Sequence, residues 1–350
     1  MLPCGLYNAT YEKDTAIIRT KTQWGLTIFA LAFFFTLPAY APAVIVQLFN
    51  LIWIHIIAVL GLLFLTGLCG QISIGQAAFV GVGAYTTAFC ADHFALPFWL
   101  CIPFSGLVAG VIGLIFGLPA FRLKGFYIAM ATLAAQFILG WVFTHATPLT
   151  KGWWGYPVDY PTIAGIEISK GWPMYSFCLV TLIIMTYLAK NIARTKTGRA
   201  FIAIRDNDLA AEVQGININA YKLLAFFLCS FFAGVAGSVF AYYQGIATPE
   251  QFTIFQSIPF LGMLIIGGMN NVVGPFFGVA FIDAVDRVIK IYAPSLQQIL
   301  PTAMGGSLYA ALSLLIFGII VIVFLIFEPR GLAHRWEIFK STYRLRPFPY

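Results

Sequence analysis

Long apolar runs, separated by short breaks of polar residues, glycine and proline, follow one another along the chain. A helix needs about 20 mostly apolar residues to cross the roughly 30 Å hydrocarbon core of a bilayer, because it rises about 1.5 Å per residue. The pattern therefore predicts an all-α polytopic membrane protein. We assign ten transmembrane segments, at approximately 23–41, 43–66, 72–91, 96–119, 125–145, 173–190, 222–248, 257–270, 272–290 and 307–327.

Three of these segments differ from the rest. The third, 72–91, is rich in glycine and polar residues, whereas the eighth and ninth are short and meet at Met269-Asn270-Asn271, a sequence typical of a turn. One of the three could be broken or re-entrant rather than a full span. The pattern therefore predicts between eight and ten spans.

The composition supports a membrane protein. Only 9% of the 350 residues are charged and 60% are hydrophobic, whereas a soluble domain carries about 25% charged residues. So few charges could not cover the apolar surface of a soluble globule of this size. This excludes a cytosolic enzyme, a disordered chain and a nucleic-acid-binding protein, and it makes membrane lipid the expected surrounding medium.

The distribution of basic residues predicts the orientation. Ten spans place both termini on one side, and of the 20 Lys and Arg residues only Lys151, Lys170, Arg287 and Lys290 fall on the other side. The positive-inside rule then puts both termini in the cytoplasm. The predicted organisation is a cytoplasmic segment 1–22, a transmembrane domain 23–327 with an external loop 146–172 and a cytoplasmic loop 191–221, and a cytoplasmic tail 328–350.

The chain shows no residue pattern typical of catalysis, metal binding or nucleotide binding. Its six cysteines and four histidines are scattered without ligand spacing, although Cys90 and Cys101 could lie near one membrane face and form a disulfide. No Gly-Lys dipeptide occurs, so there is no Walker phosphate loop. We therefore predict that the chain is not an enzyme and has no catalytic residue, no metal and no cofactor.

Acidic residues inside the predicted spans are limited to Asp283 and Asp286, which lie with Arg287 and Lys290 near the external end of the ninth segment. Ion-coupled transporters usually carry carboxylates within the membrane. We interpret this group as an ion-paired interfacial face rather than a proton relay. A gradient-driven mechanism is therefore disfavoured.

Other polar side chains lie at membrane depth, where they must face the protein interior or a wet cavity. They serve either hydrogen bonding between helices or a substrate path. The pairs Gly267-Gly268 and Gly274-Pro275 mark a broken segment, a feature that often lines transport sites. The candidate translocation path comprises Gln71, Ser73, Gln76, Thr132, Gln136, Gly267 and Gly268.

The cytoplasmic loop contains a short helix with both ends marked. Asp206 or Asp208 can accept hydrogen bonds from its first turn, and Gly215 can take the left-handed conformation that ends it. Apolar residues between them recur at helical spacing and form one stripe: Leu209, Val213 and Ile216. This helix either docks on a partner or packs on the cytoplasmic face of the protein itself.

The external loop 146–172 carries an aromatic cluster at 151–157, Lys-Gly-Trp-Trp-Gly-Tyr-Pro. Trp and Tyr favour the membrane–water interface. The cluster is therefore either an interfacial anchor or a docking surface for an external partner.

Four blocks of sequence resemble the LivM-type permease of branched-chain amino acid ATP-binding-cassette (ABC) importers. They read Gly-Gln-Ile-Ser-Ile-Gly-Gln-Ala-Ala-Phe at 70–79, Leu-Lys-Gly-Phe-Tyr-Ile-Ala at 123–129, Arg-Asp-Asn-Asp-Leu-Ala-Ala-Glu-Val-Gln-Gly at 205–215 and Gly-Gly-Met-Asn-Asn-Val-Val-Gly-Pro at 267–275. The third block departs from the Glu-Ala-Ala-x-x-x-Gly coupling motif of such importers by carrying Leu209 at the Glu position. The likeness covers roughly residues 50–330.

This resemblance implies a multi-pass permease subunit of a bacterial cytoplasmic (inner) membrane. It also implies a second related permease, expected to form a heterodimer, two ABC ATPase subunits that bind ATP, and an extracytoplasmic binding protein that delivers branched-chain or other hydrophobic amino acids. It assigns coupling to the ATPase to Arg205, Asp206, Asp208, Ala210, Ala211, Glu212 and Gly215.

Two alternatives stay open. Related permeases carry urea, amides or other small amphipathic solutes, so the same type of permease with such a cargo is the first. A stand-alone channel or facilitator for small neutral solutes is the second, from a different class. Solute movement by the purified chain without ATPase subunits would distinguish the channel from the ABC permease.

Overall fold

The computed structural model describes residues 21–121, 125–163, 166–168, 171–297, 305–328 and 330–345. Several sequence predictions fall outside these residues. They concern most of the segment 1–22, the basic residues Arg122, Lys124 and Lys170, and residues 346–350 of the tail.

The described part of the chain is all-α apart from four two-residue strands. The helices are α1 (Lys21–Tyr40), α2 (Ala43–Leu62), α3 (Gln76–Phe94), α4 (Phe98–Gly117), α5 (Phe126–His145), α6 (Trp172–Arg194), α7 (Lys196–Asp206), α8 (Asp208–Val213), α9 (Ile218–Gln244), α10 (Ile254–Gly267), α11 (Gly274–Gln297), α12 (Gly305–Phe327) and α13 (Leu332–Leu345). Short helical turns lie at Leu63–Leu68, where a π-helical turn extends α2, and at Leu118–Phe121, Thr147–Thr150, Gly152–Trp154 and Pro249–Phe252.

The strands form two small antiparallel pairs. β1 (Tyr156–Pro157) pairs with β4 (Ile246–Ala247). β2 (Thr162–Ile163) pairs with β3 (Ile166–Glu167). The first pair joins the loop before α6 to the segment that follows α9.

Each of the ten predicted transmembrane segments overlaps one of these helices. By length and apolar composition, five helical stretches in the described residues could cross a membrane: Ala43–Leu68, Phe98–Gly117, Phe126–His145, Trp172–Arg194 and Ile218–Gln244. A sixth appears if Leu315–Phe327 and Leu332–Thr342, bent by 42°, count as one span. The all-α membrane architecture is therefore confirmed, whereas ten spans and cytoplasmic termini stay predictions.

The core of the bundle lies around α9, which packs against α2, α3 and α4. The backbones of α3 and α9 touch, because a Cβ added to Gly83 would collide with the Gly234 carbonyl and one added to Gly237 with the Val80 carbonyl. Small residues are the usual means of close helix packing in membranes. Glycines therefore allow α3 and α9 to come into backbone contact.

The bundle has two distinct ends. At the end referred to here as the α8 end, Arg205 contacts the Gly67 carbonyl at the end of α2 and Asn270 in the α10–α11 turn. Asn271 in the same turn donates a 2.6 Å hydrogen bond to Glu337 of α13. At the opposite end, the strand-bearing end, β1 and β4 lie beside the C-terminal end of α9 and the N-terminal end of α10.

Candidate functional site

Two helices, not one, form the loop between α6 and α9. α7 ends at Asp206 and α8 begins at Asp208, because Asn207 between them has an extended backbone (φ −161°). The Asn207 side chain accepts a 3.1 Å hydrogen bond from Ala210 N and so caps α8. The prediction that Asp206 or Asp208 is the cap is therefore wrong. Gly215 does take the left-handed conformation predicted to end this helix (φ +83°).

α8 presents most of its apolar stripe to the outside of the chain. Leu209 and Val213 are 69% and 88% exposed, whereas Ile216 packs half-buried against the core. Of the two small residues in this helix, Ala210 is exposed and Ala211 is buried within the chain itself. A partner backbone can therefore approach Ala210 directly, whereas Ala211 is covered by the chain itself.

Arg205, near the end of α7, joins three parts of the chain. Its Nη1 donates to the Gly67 carbonyl at 3.1 Å and to Asn270 Oδ1 at 2.6 Å, and its Nε and Nη2 donate to Asp206 at 3.2 and 3.1 Å. The stem of Arg205 fills the space beside Gly70, where a Cβ would lie only 2.7 Å from Arg205 Cγ. Arg205 therefore faces its own transmembrane helices rather than the outside.

An ion pair attaches α8 to the start of α9. Lys222 is buried, and its Nζ lies 3.3 Å from Asp208 Oδ2. Removing one partner of such a pair leaves an uncompensated buried charge, which is strongly destabilising. Asp206 and Glu212, by contrast, are exposed. The residues predicted to couple to the ATPase thus divide into outward-facing ones (Asp206, Ala210 and Glu212) and ones that hold the loop on the bundle (Arg205, Asp208 and Ala211).

The N-terminal end of α3 is satisfied by side chains from two other helices. Gln136 Oε1 of α5 accepts hydrogen bonds from Ala78 N at 2.9 Å and Ser257 Oγ at 2.8 Å, and its Nε2 donates to the Phe252 carbonyl at 2.7 Å. Ser257 Oγ of α10 in turn accepts a 2.9 Å hydrogen bond from Ala77 N. The first N–H groups of a helix lack partners within it. Inside the bundle, the side chains of Gln136 and Ser257 supply these missing partners.

Gln76 and Thr132 are enclosed in the same way. Gln76 Nε2 donates to the Ala58 carbonyl at 2.7 Å, and its Oε1 accepts from Cys229 Sγ at 3.1 Å. Thr132 Oγ1 accepts from Ile74 N at 3.1 Å. These contacts match hydrogen bonding between helices, one of the two interpretations that the sequence left open. A part for these residues in transport stays a prediction.

The remaining residues of the predicted path lie nearer the α8 end. Gln71 and Ser73 are buried, and their Oε1 and Oγ atoms have no hydrogen-bond partner among the described residues. Gly267 and Gly268 end α10 beside the turn that Arg205 contacts. Their backbone changes direction sharply, since Gly268 has a φ of +111°.

A cavity of about 700 Å³ lies between α2, α9, α10, α11 and α12. None of the residues of the predicted path is among the described residues that line it. Its apolar wall includes Leu48, Leu51, Phe260, Met263, Phe317 and Ile320. Its charged wall is one face of α11 and comprises Asp283, Asp286, Arg287 and Lys290; this set is referred to below as the charged face of α11.

His55 of α2 meets the charged face of α11 within the cavity. Its Nδ1 lies 2.9 Å from Asp283 Oδ2, and Lys290 Nζ lies 2.6 Å from Asp286 Oδ2. The predicted ion pairing is therefore confirmed for Asp286 and Lys290. Asp283 is 9% exposed and bound by a residue of another helix, so it is the buried member of this group, and its position relative to the membrane interface stays a prediction.

The sequence analysis missed the pair of His55 and Asp283. The two residues are 228 positions apart, so no local spacing connects them. The available signal was that His55 is the single ionisable residue of its predicted segment, and ionisable residues within a membrane usually pair with one another.

The cysteines of the described residues are free and buried: Cys69, Cys90, Cys101, Cys178 and Cys229. Cys90 and Cys101 therefore form no disulfide in this structure. Cys101 Sγ instead donates to the Leu96 carbonyl at 3.3 Å.

At the strand-bearing end, the segment 151–157 is fixed to α3. Tyr156 is buried, and its hydroxyl donates a 2.7 Å hydrogen bond to Asp92. Lys151 Nζ lies 3.3 Å from Asp92 and 4.0 Å from the centre of the Tyr156 ring. Burial and the hydrogen bond to Asp92 raise the pKa of Tyr156 to about 12. Trp153 and Trp154 remain 68% and 91% exposed, so anchoring and docking both stay open.

Comparison with known proteins gives one consistent result. A family model described as the permease component of the branched-chain amino acid transport system matches residues 44–325. The high-affinity branched-chain amino acid transport system permease protein LivM of Escherichia coli K12 is 32% identical over 250 residues, which cover 65% of this chain and 59% of that protein. Its Salmonella typhimurium counterpart is 29% identical over 311 residues, 82% of this chain and 69% of that protein.

A more distant relative bears a different name. The autoinducer 2 import system permease protein LsrC of Shigella flexneri is 28% identical over 154 residues, 41% of this chain and 43% of that protein. No solved structure matches the chain significantly.

Proposed function

Because the chain belongs to the family of branched-chain amino acid transport system permease components, we propose that it is the transmembrane subunit of a binding-protein-dependent ABC importer for branched-chain or other hydrophobic amino acids. It moves its cargo without catalysing a reaction, and separate partner subunits bind and hydrolyse ATP. It spans a bacterial cytoplasmic membrane about ten times, with the transmembrane domain 23–327 between cytoplasmic segments 1–22 and 328–350.

The observation that carries this proposal is the exposed apolar face of α8. Leu209 and Val213 protrude from a short helix that has caps at both ends and is tied to the bundle by Asp208 and Lys222. An apolar stripe that its own chain leaves uncovered, on a helix held rigidly, fits the groove of a partner protein. We assign this groove to an ABC ATPase subunit, with Ala210 and Glu212 at its rim.

Arg205 supplies the connection from this surface to the transmembrane helices. A displacement of α7 and α8 would act through Arg205 on the Gly67 carbonyl and on Asn270. Gly67 lies in the π-helical turn of α2, and π-helical turns often occur at functional sites. Asn270 lies in the α10–α11 turn next to Gly267 and Gly268. We propose that Arg205 transmits nucleotide-driven motion to these two breaks, while Gly215 sets the angle at which α8 is presented.

Three further partners complete the proposed importer. A second, related permease packs beside this chain in the membrane and shares the translocation path. An extracytoplasmic binding protein docks at the strand-bearing end, where Trp153 and Trp154 are exposed. In the proposed path, Gln71 and Ser73 have side-chain oxygens without partners among the described residues. These oxygens can bind cargo or water when the chain moves at the break formed by Gly267 and Gly268.

A second cargo class is favoured by one comparison. The relative LsrC is named for autoinducer 2 import, so proteins similar to this chain are not confined to amino acids. The same permease mechanism with another small amphipathic cargo, such as urea or an amide, is therefore the alternative. A stand-alone channel has no such observation in its favour.

The test replaces Val213 by Asp in the assembled transporter. A carboxylate on the exposed stripe would have to be desolvated against an apolar groove, so substrate-stimulated ATP hydrolysis is expected to fall at least tenfold. Asn219→Asp is the matched control, because it adds the same charge at an exposed position in the first turn of α9. Normal coupled ATP hydrolysis in Val213→Asp would contradict the docking role of α8.

A further inference from the structure

The cavity between α2 and α9–α12 extends from the strand-bearing end into the bundle. Gln47, Gln244 and Gln256 line it near the helix ends beside β4, and His55 and Met263 line it more deeply. Its volume of about 700 Å³ lies within the roughly 300–1,000 Å³ typical of small-molecule sites. It therefore faces the side from which an imported solute arrives under the proposed function.

The lining of the cavity combines two kinds of surface. Leu51, Phe260 and Phe317 belong to an apolar wall, whereas the charged face of α11 forms the other wall. The four residues of that face lie at positions i, i+3, i+4 and i+7 and so share one side of the helix. Its two carboxylates, one guanidinium and one ammonium cancel in formal charge. A ligand with a net charge would leave an uncompensated charge beside the buried Asp283, whereas a zwitterion would not.

Two groups on this face have unused hydrogen-bonding capacity. Arg287 Nε is buried and has no hydrogen-bond partner among the described residues. Asp283 accepts hydrogen bonds from His55 at 2.9 and 3.1 Å, and a carboxylate has about four lone-pair sites. A donor for a carboxylate and an acceptor for an ammonium are thus present one helical turn apart, beside an apolar wall.

We propose, as an extension of the transport function above, that this cavity is a binding site for a zwitterionic amino acid with an apolar side chain. Arg287 receives the α-carboxylate, Asp283 receives the α-ammonium, and the side chain lies against Leu51, Phe260 and Phe317. His55 is a positioning residue that holds Asp283 in place.

Binding of radiolabelled L-leucine to the full-length chain in lipid nanodiscs tests this site. We expect Arg287→Gln and Asp283→Asn to weaken binding at least tenfold, whereas Lys340→Gln, which removes an exposed charge on α13, leaves it unchanged.

Competition by leucine analogues tests the two charged groups of the ligand. 4-Methylpentanoate, which lacks the ammonium, and 3-methylbutylamine, which lacks the carboxylate, should each compete at least tenfold less well than leucine. Leu51→Trp, which fills the apolar wall without altering a charge, should also abolish binding.

The outcomes separate this inference from the proposed function. No leucine binding to the wild-type chain, equal binding to wild type and Arg287→Gln, or equal competition by the three compounds would each overturn the assignment of the cavity. Leucine uptake by cells that contain the complete transporter is measured in parallel. Uptake that persists after deletion of this chain would overturn the proposed function, whereas uptake that requires the chain while the cavity binds nothing would overturn only the cavity.

Discussion

Individual polar side chains determine how the helices of this bundle meet. Gln136 joins α3, α5 and the segment before α10 through three hydrogen bonds, and Ser257 adds a fourth. Since a buried donor or acceptor left without a partner costs about 1–3 kcal/mol, one glutamine stabilises the junction of three helices.

We expect Gln136→Leu to destabilise the protein by about 2–4 kcal/mol, because it leaves the Ala78 amide and the Phe252 carbonyl without partners. Thermal unfolding of the purified protein in detergent measures the loss. Gln214→Leu is the control, because Gln214 is exposed directly after α8. Unchanged stability together with altered uptake in Gln136→Leu would contradict a packing role and return Gln136 to the translocation path.

Arg205 should behave differently from the exposed residues of α8. Arg205→Gln removes the charged hydrogen bonds to the Gly67 carbonyl and Asn270 but leaves Leu209 and Val213 in place. We therefore expect the complex to assemble and hydrolyse ATP while uptake falls at least tenfold. Arg205→Lys should be intermediate, because one ammonium cannot reproduce the planar fork of donors.

The ratio of solute taken up to ATP hydrolysed is the quantity to measure for this prediction. Lys196→Gln serves as the control, since it removes an exposed positive charge from the start of the same helix. A normal ratio in Arg205→Gln would show that the link through Gly67 and Asn270 is not used.

Contacts of individual residues could be predicted only where neighbouring residues in the sequence determine them. The left-handed conformation of Gly215 followed from its place after an apolar helical stripe. The cap of α8 was assigned to the wrong residue, because Asp206, Asn207 and Asp208 are all good caps and only the backbone path decides among them. The inward direction of Arg205 depends on Gly67 and Asn270, which are far away in the sequence.

At the scale of helices, the pattern of apolar runs was sufficient to locate the elements. All ten predicted segments overlap helices, because burial in lipid requires long apolar stretches whatever the tertiary contacts are. The boundaries were less accurate. The third segment was expected to begin at 72, but α3 begins at Gln76, where Ser257 and Gln136 can satisfy its first N–H groups. Residues from other helices therefore set that start.

The contact of α3 and α9 gives a prediction at this scale. Gly237→Ala should prevent stable folding, because the new Cβ would overlap the backbone carbonyl of Val80, and a backbone atom cannot move aside as a flexible side chain can. Gly140→Ala on α5 is the matched control, since its Cβ would meet no atom within 4 Å. Alanine is a better helix former than glycine by about 1 kcal/mol, so Gly140→Ala should be neutral or slightly stabilising.

Expression level and the midpoint of thermal unfolding compare these two variants. A Gly237→Ala protein that folds with the wild-type midpoint would show that α3 and α9 can separate at little cost. The close backbone packing would then not be required for stability.

At the scale of the whole molecule, the chain places the exposed helix α8 at one end of the bundle and a cavity that opens towards the other end. α2 and the α10–α11 hairpin reach both ends. They carry the contacts of Arg205 at the α8 end and line the cavity towards the strand-bearing end. Motion applied at α8 can therefore reach the cavity through α2, α10 and α11, which gives the proposed coupling a continuous physical path.

The orientation of these two ends decides whether that path serves import. Trp154 lies at the strand-bearing end and Val213 and Lys340 lie at the α8 end, and all three are exposed. We expect a membrane-impermeant maleimide to label Trp154→Cys in intact cells, and to label Val213→Cys and Lys340→Cys only after the membrane is permeabilised. The native cysteines of the described residues are buried, so replacing Cys4 by Ser is expected to give a low background. Labelling of Trp154→Cys and Val213→Cys from the same side would mean that α6 does not cross the membrane, and the reverse pattern would place α8 outside, where no ATPase could reach it.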